Sequence, residues 1–108
     1  MSLNMLQKRI YEIYSHHDKR RGIQKTFKWF LSEVYELEEA IMDKDINGIK
    51  TEISDVLAWL LSIANLLEIN LAEVFIERYG ERCPKCGSNP CKCPYREEPD
   101  KSVLLKII

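Results

Sequence analysis

Leu31-Ser-Glu33-Val-Tyr-Glu36-Leu-Glu-Glu-Ala-Ile41, then past a short polar turn Glu52-Ile-Ser-Asp55-Val-Leu-Ala-Trp-Leu60, decides the fold of this 108-residue chain. Apolar residues recur at helical spacing through both stretches. The first stripe is Phe27, Phe30, Leu31, Val34, Leu37 and Ile41; the second is Ile49, Ile53, Val56, Leu57, Leu60, Leu61 and Ala64. Glu33 with Glu36, and Glu52 with Asp55, each stand at i, i+3, which puts both carboxylates of a pair on one helix face. Each pair lies inside its apolar stripe. Four carboxylates turned toward a shared interior repel one another and lose hydration unless a cation holds them. Oxygen-only acidic ligands suit a hard divalent ion such as Mg²⁺ or Mn²⁺. Charged residues are 31% of the chain, so one such pair alone would read as a solvated helix face. Two pairs, in order, on consecutive amphipathic helices favour a metal site.

The same periodicity predicts a first helix from about Leu3 to His17, ended by the polar run His16–Gly22. A second helix is expected from about Lys25 to Met42, and Lys44–Gly48 is the turn. Asp45 or Asn47 is the expected N-cap of a third helix reaching about Leu67. That third helix is apolar over more than half its circumference, which predicts burial on several sides. Leu71–Tyr79 reads as a fourth helix closed by Gly80. The fold class is therefore all-α, a bundle of about four helices completed by oligomerisation, with residues 1–80 as one domain. Residues 81–108 form a cysteine-rich extension ending in the apolar piece Val103–Ile108, which reads equally as strand or helix.

The net charge of −1 by itself points to no nucleic acid or membrane, but its distribution is uneven. Residues 1–28 hold seven Lys/Arg, and residues 33–55 hold eight acids against Lys44 and Lys50. Basic groups beside an acidic pocket suit a metal–phosphate ligand. Arg20, Arg21, Lys25 and Lys28 are the candidates for phosphate, and Trp29 and Trp59 are the aromatic candidates for a ligand contact, although a Trp on a bundle helix is more often core. No signal-like segment or apolar run of about 20 residues occurs, so a cytoplasmic setting and no membrane partner are expected. His16 and His17 read as surface residues.

Cys83, Cys86, Cys91 and Cys93 are the only cysteines, spaced C-x2-C-x4-C-x-C. A tetrahedral Zn²⁺ site is the first expectation. The short Cys91-Lys-Cys93 half leaves paired disulfides, free thiols or another metal open. Four thiolates would leave no free coordination position, so bound zinc would be structural.

The two acidic stretches resemble those of the MazG-like nucleotide pyrophosphohydrolases, within the all-α NTP pyrophosphatase superfamily. The resemblance covers roughly residues 15–80. Ser62–Leu71 is similar to a segment habitual in that family, and Asp18–Gly22 is similar to an upstream stretch of its archaeal-type members. It implies Mg²⁺ (or Mn²⁺) ligands at Glu33, Glu36, Glu52 and Asp55, with Ser32 where the family commonly has Glu. It further implies Glu39 as a candidate water-positioning base, though a solvated glutamate is the commoner reading. Asn65 and Arg78 are implied nucleotide contacts, and a homodimer or homotetramer is the implied assembly. The implied reaction is attack at the α-phosphate of a nucleoside triphosphate, giving monophosphate and pyrophosphate and clearing surplus or modified nucleotides.

Phosphoribosyl-ATP pyrophosphohydrolase, from the same superfamily, is the alternative enzyme reading. A zinc-stabilised helical interaction module is the alternative of another class. Lys85, Lys92 and Arg96 would suit nucleic acid, but Glu97, Glu98 and Asp100 oppose a basic footprint.

Overall fold

The computed structural model describes residues 1–100, and the apolar piece Val103–Ile108 lies outside them. The fold is all-α: α1 Leu3–Arg21, α2 Ile23–Met42, α3 Ile46–Leu66 and α4 Leu71–Tyr79. No strand occurs among the described residues. The chain divides into two compact units, Met1–Ile76 and a second beginning at Glu77. In the first unit α2 and α3 pair most extensively, and α1 packs mainly on α3.

Each helix boundary has a local cause. Ser2 caps α1 by accepting from the Met5 N–H at 3.2 Å. The first helix runs four residues past the expected end at His17, because nothing in His16–Arg21 breaks a helix and Asp18 is buried rather than solvated. Gly22 ends it, at φ 85° and ψ 167°. That backbone region is almost closed to residues with a Cβ. A Cβ on Gly22 would meet nothing within 4 Å, so any cost of adding one is conformational. Gly22→Ala is expected to lose about 1–3 kcal/mol of stability, read as a lower urea midpoint with an unchanged m-value.

Between α2 and α3, Lys44 takes the left-handed conformation and the Asp45 N–H reaches back to the Ala40 carbonyl. Of the two expected caps, Asp45 is the one used: its carboxylate accepts from the Gly48 N–H at 3.1 Å. A Cβ at position 48 would sit 2.6 Å from that carboxylate, so glycine makes room for the cap. At the α3–α4 corner, Gln7 of α1 acts as a clasp. It donates to the Ile69 carbonyl at 2.7 Å and accepts from the Leu71 N–H at 3.0 Å, and its own carbonyl accepts from Asn65 at 3.2 Å.

The interior of one chain is small. Among the described hydrophobic residues only Leu61 and Ala64 are fully buried, with Thr26, Ser62 and Asp18 as their polar company. The expectation that α3 is buried on several sides is not met among the described residues. Ile53 is 55% exposed, and Leu57 and Leu60 are also open to solvent. The other described helices, α1, α2 and α4, do not cover an apolar surface that broad.

Candidate metal and nucleotide site

The α2–α3 pairing brings the two acidic pairs together. One carboxylate oxygen from each of Glu33, Glu36 and Glu52 lies within 4.8 Å of the others. Asp55 stands outside that triad, yet its charge acts on both Glu33 and Glu52. Glu33, Glu52 and Asp55 are half-buried, while Glu36 is exposed. The site is thus a half-open lip, not the enclosed interior that the stripes suggested.

Oε2 of Glu33 and Oε2 of Glu52 are both shielded from solvent and have no hydrogen-bond partner. Buried acceptors left unpaired are costly. Burial, and then the neighbouring Glu36 and Glu52 carboxyls and the Asp55 charge, push Glu33 up to about 7. Burial also raises Glu52, with the charges of Glu36 and Asp55 adding to it. A divalent cation answers all these features at once. Oxygens on one octahedral Mg²⁺ stand about 3–4 Å apart, given bonds of about 2.0–2.1 Å. The donor set and its unpaired atoms therefore fit a hard cation.

Beside the triad, a cavity of about 200 Å³ opens between α1 and α3, lined by Tyr14, His17, Asp18, Arg21, Asp55 and Trp59 among others. Asp55 belongs to this cavity and also acts on the acidic cluster. Asp18 is 2% exposed, and Arg21 donates to its Oδ1 at 3.0 Å and to the Thr26 hydroxyl at 3.3 Å. The second oxygen of Asp18, Oδ2, is buried without a partner. The Arg21 guanidinium lies 4.9 Å from the Trp59 ring centre. Trp59 stacks on Trp29 at 5.7 Å with planes 7° apart, and Trp29 is 52% exposed. The stack runs from the exposed Trp29 to the half-buried Trp59 at the cavity, and neither ring is the fully buried core filling more usual on a bundle helix.

The remaining candidates are placed differently. Arg20, Lys25 and Lys28 are exposed on α1 and α2. Glu39 is exposed and lies outside the triad. The Asn65 amide is engaged by the Gln7 carbonyl, tying α3 to α1. Arg78 lies in the second unit, over the Tyr79 ring. Asp18 was missed as a site residue because the polar run around it resembled a loop. The available signal was its i, i+3 relation to Arg21, which on a helix makes an ion pair.

Residues 21–87 match the MazG nucleotide pyrophosphohydrolase domain, and the chain belongs to that family. It is a family of enzymes that act on nucleotide substrates and typically use a divalent metal. A search of curated proteins gave no match. No single described helix is long and apolar enough to cross a membrane.

Proposed function

We propose that this protein is a Mg²⁺-dependent pyrophosphohydrolase that converts a ribo- or deoxyribonucleoside triphosphate, surplus or modified, to its monophosphate and pyrophosphate. The observation that carries this reading is the triad Glu33, Glu36 and Glu52, with two oxygens shielded from solvent and without a hydrogen-bond partner. Those three carboxylates, with Asp55 alongside, would hold the ion. When bound, Mg²⁺ (or Mn²⁺) supplies charge neutralisation at the phosphate oxygens and eases deprotonation of the attacking water.

The chain's own groups do the rest. Arg20, Lys25 and Lys28 meet the β- and γ-phosphates as charge partners. Asp18 holds Arg21 at the cavity, where its guanidinium lies over the Trp59 ring. The cavity is smaller than the about 300–1,000 Å³ of whole small-ligand sites, so it receives the base while the phosphates lie at the carboxylates. Trp59 lines it between the Arg21 guanidinium and Trp29, and the unpaired Asp18 Oδ2 accepts from a base N–H.

In this reading residues 1–80 are the catalytic domain and 81–108 a cysteine-rich extension. The exposed apolar rows of α2 and α3, such as Phe27, Ile53 and Leu57, are covered by further copies of the chain, so the enzyme works as a homodimer or homotetramer. Free thiols at all four cysteines suit a reducing, cytoplasmic setting.

The test is a panel of common and modified nucleoside triphosphates, incubated with Mg²⁺ and assayed for pyrophosphate. Monophosphate plus pyrophosphate, abolished by EDTA, is the expected result. If the panel and phosphoribosyl-ATP are both left intact in Mg²⁺ and in Mn²⁺, the hydrolase assignment fails. Cleavage of phosphoribosyl-ATP alone would move the substrate to that class.

A further inference from the structure

The second unit contains a cluster that the nucleotide reading does not use. The Cys83 carbonyl accepts from the Gly87 N–H at 2.8 Å, and the Cys83 N–H donates to the Ser88 carbonyl at 3.0 Å. This tight loop, with Gly87 at φ 72°, returns Cys86 to the side of Cys83. The chain then doubles back, held by Asn89, whose side chain donates to the Glu81 carbonyl at 2.8 Å. Cys91 and Cys93 arrive opposite the first pair. All four Sγ atoms lie within 4.8 Å of one another. Cys83 to Cys93 is 3.9 Å, and Cys86 to Cys91 is 3.9 Å.

Those separations discriminate among the open readings. A disulfide requires sulfurs about 2.05 Å apart, and all four cysteines are free. Four sulfurs bound at about 2.3 Å to one tetrahedral ion stand about 3.8 Å from each other, which the observed pairs match. Backbone N–H groups already point at the sulfurs: Lys92 donates to Cys86 Sγ and Cys93 to Cys91 Sγ, both at 3.3 Å. Such donors favour thiolate over thiol. Beyond Tyr79 no helix or strand occurs among the described residues. Of the described side chains beyond Tyr79, Tyr95, Cys86 and Cys91 are exposed, and Cys83 and Cys93 are no more than half-buried. Hydrophobic burial therefore does not explain why this segment folds.

We propose that Cys83, Cys86, Cys91 and Cys93 bind one Zn²⁺ as a closed tetrahedral thiolate site, and that the segment from Arg82 to Cys93 takes its fold from that ion. Four thiolates leave no open coordination position, so the role is structural. Metal binding and ordering of the segment form one equilibrium. The site is independent of nucleotide hydrolysis.

The experiment is elemental analysis of the full chain, purified under reducing conditions and dialysed against a weak chelator, with hydrogen exchange followed before and after zinc removal. About one zinc per chain is expected. Cys86→Ser/Cys91→Ser should lose it, weakening binding by more than the about 10–100-fold that loss of an outer-shell partner costs, while Glu36→Gln should keep it. Removal should speed amide exchange across Arg82–Cys93 and leave that of α2 and α3 unchanged. Substitution with Co²⁺ should give the intense visible absorption of a tetrahedral tetrathiolate centre. Zinc content equal in the double variant and the parent, disulfides in place of titratable thiols in the reduced protein, or amide protection that persists without metal would each overturn the proposal.

Discussion

Glu33→Gln is expected to lower the rate of pyrophosphate release by about 10³-fold, on the order of 4 kcal/mol of transition-state stabilisation. Glu33 contributes to the triad and carries one of its two unpaired buried oxygens. An amide keeps the shape, removes the charge that holds a divalent ion, and brings an N–H₂ into a site built of acceptors. The same variant has a second readout that does not depend on turnover. Glu33 titrates near 7 in the folded, metal-free protein, against an ordinary value of 4.5. A raised carboxyl means that the folded state binds the proton more tightly than the unfolded state. Stability of the metal-free protein should therefore fall as pH rises from about 4.5 through about 7. Because Glu33 is only half-buried, solvent screening reduces the effect to on the order of 1 kcal/mol. In Glu33→Gln that part of the pH slope should vanish, and the metal-free variant should melt a few degrees higher than the parent at pH 8. Unchanged turnover would sink the metal-site reading, and an unchanged slope would sink the account of the crowded carboxyls.

Arg21→Met should cost about 3 kcal/mol of folding stability, a fall in Tm of about 10 °C or more. The Asp18 side chain is 4% exposed and the Arg21 side chain 22%. Taking the guanidinium away leaves a buried carboxylate with no charge partner, since its other oxygen has none to begin with. Met keeps much of the apolar stem, so lost packing contributes little. The pairing explanation is checked by a double-mutant cycle. Asp18→Asn placed on Arg21→Met should restore at least half of the loss, because it removes the charge left stranded. Arg21→Lys keeps the charge but not the forked geometry, and should fall between parent and Met. If Asp18→Asn restores nothing, Arg21 stabilises through its contact with Trp59 and not through the ion pair.

The helices were legible because their cause is local. Period-3.6 apolar rows, Gly22, Asp45 and Gly80 mark α2, α3 and α4 to within about two residues, and the order of the acidic pairs points to the family. The end of α1 was not legible. His16–Arg21 is a polar run without a helix breaker, and its polarity hides that Asp18 turns inward, paired with Arg21, which also reaches Thr26. Asn65 has the same ambiguity in reverse: an amide beside a presumed site, it is spent on the Gln7 carbonyl. Sequence spacing places a side chain on a face, but what that face meets depends on another helix.

By itself the sequence determined four helices, two acidic pairs one turn long, and a cluster of four cysteines, since each follows from residue spacing along one segment. Tertiary structure decided which acids converge, drawing Glu33, Glu36 and Glu52 into a triad with Asp55 at its edge. It also decided that the tryptophans stack outside the core, and that Asp18 reaches a cavity with one oxygen unpaired. It left α3 with an apolar face that the described residues do not cover. These outcomes rest on distances between residues of different helices, which are set by how the helices pack and not by the order of residues within any one of them.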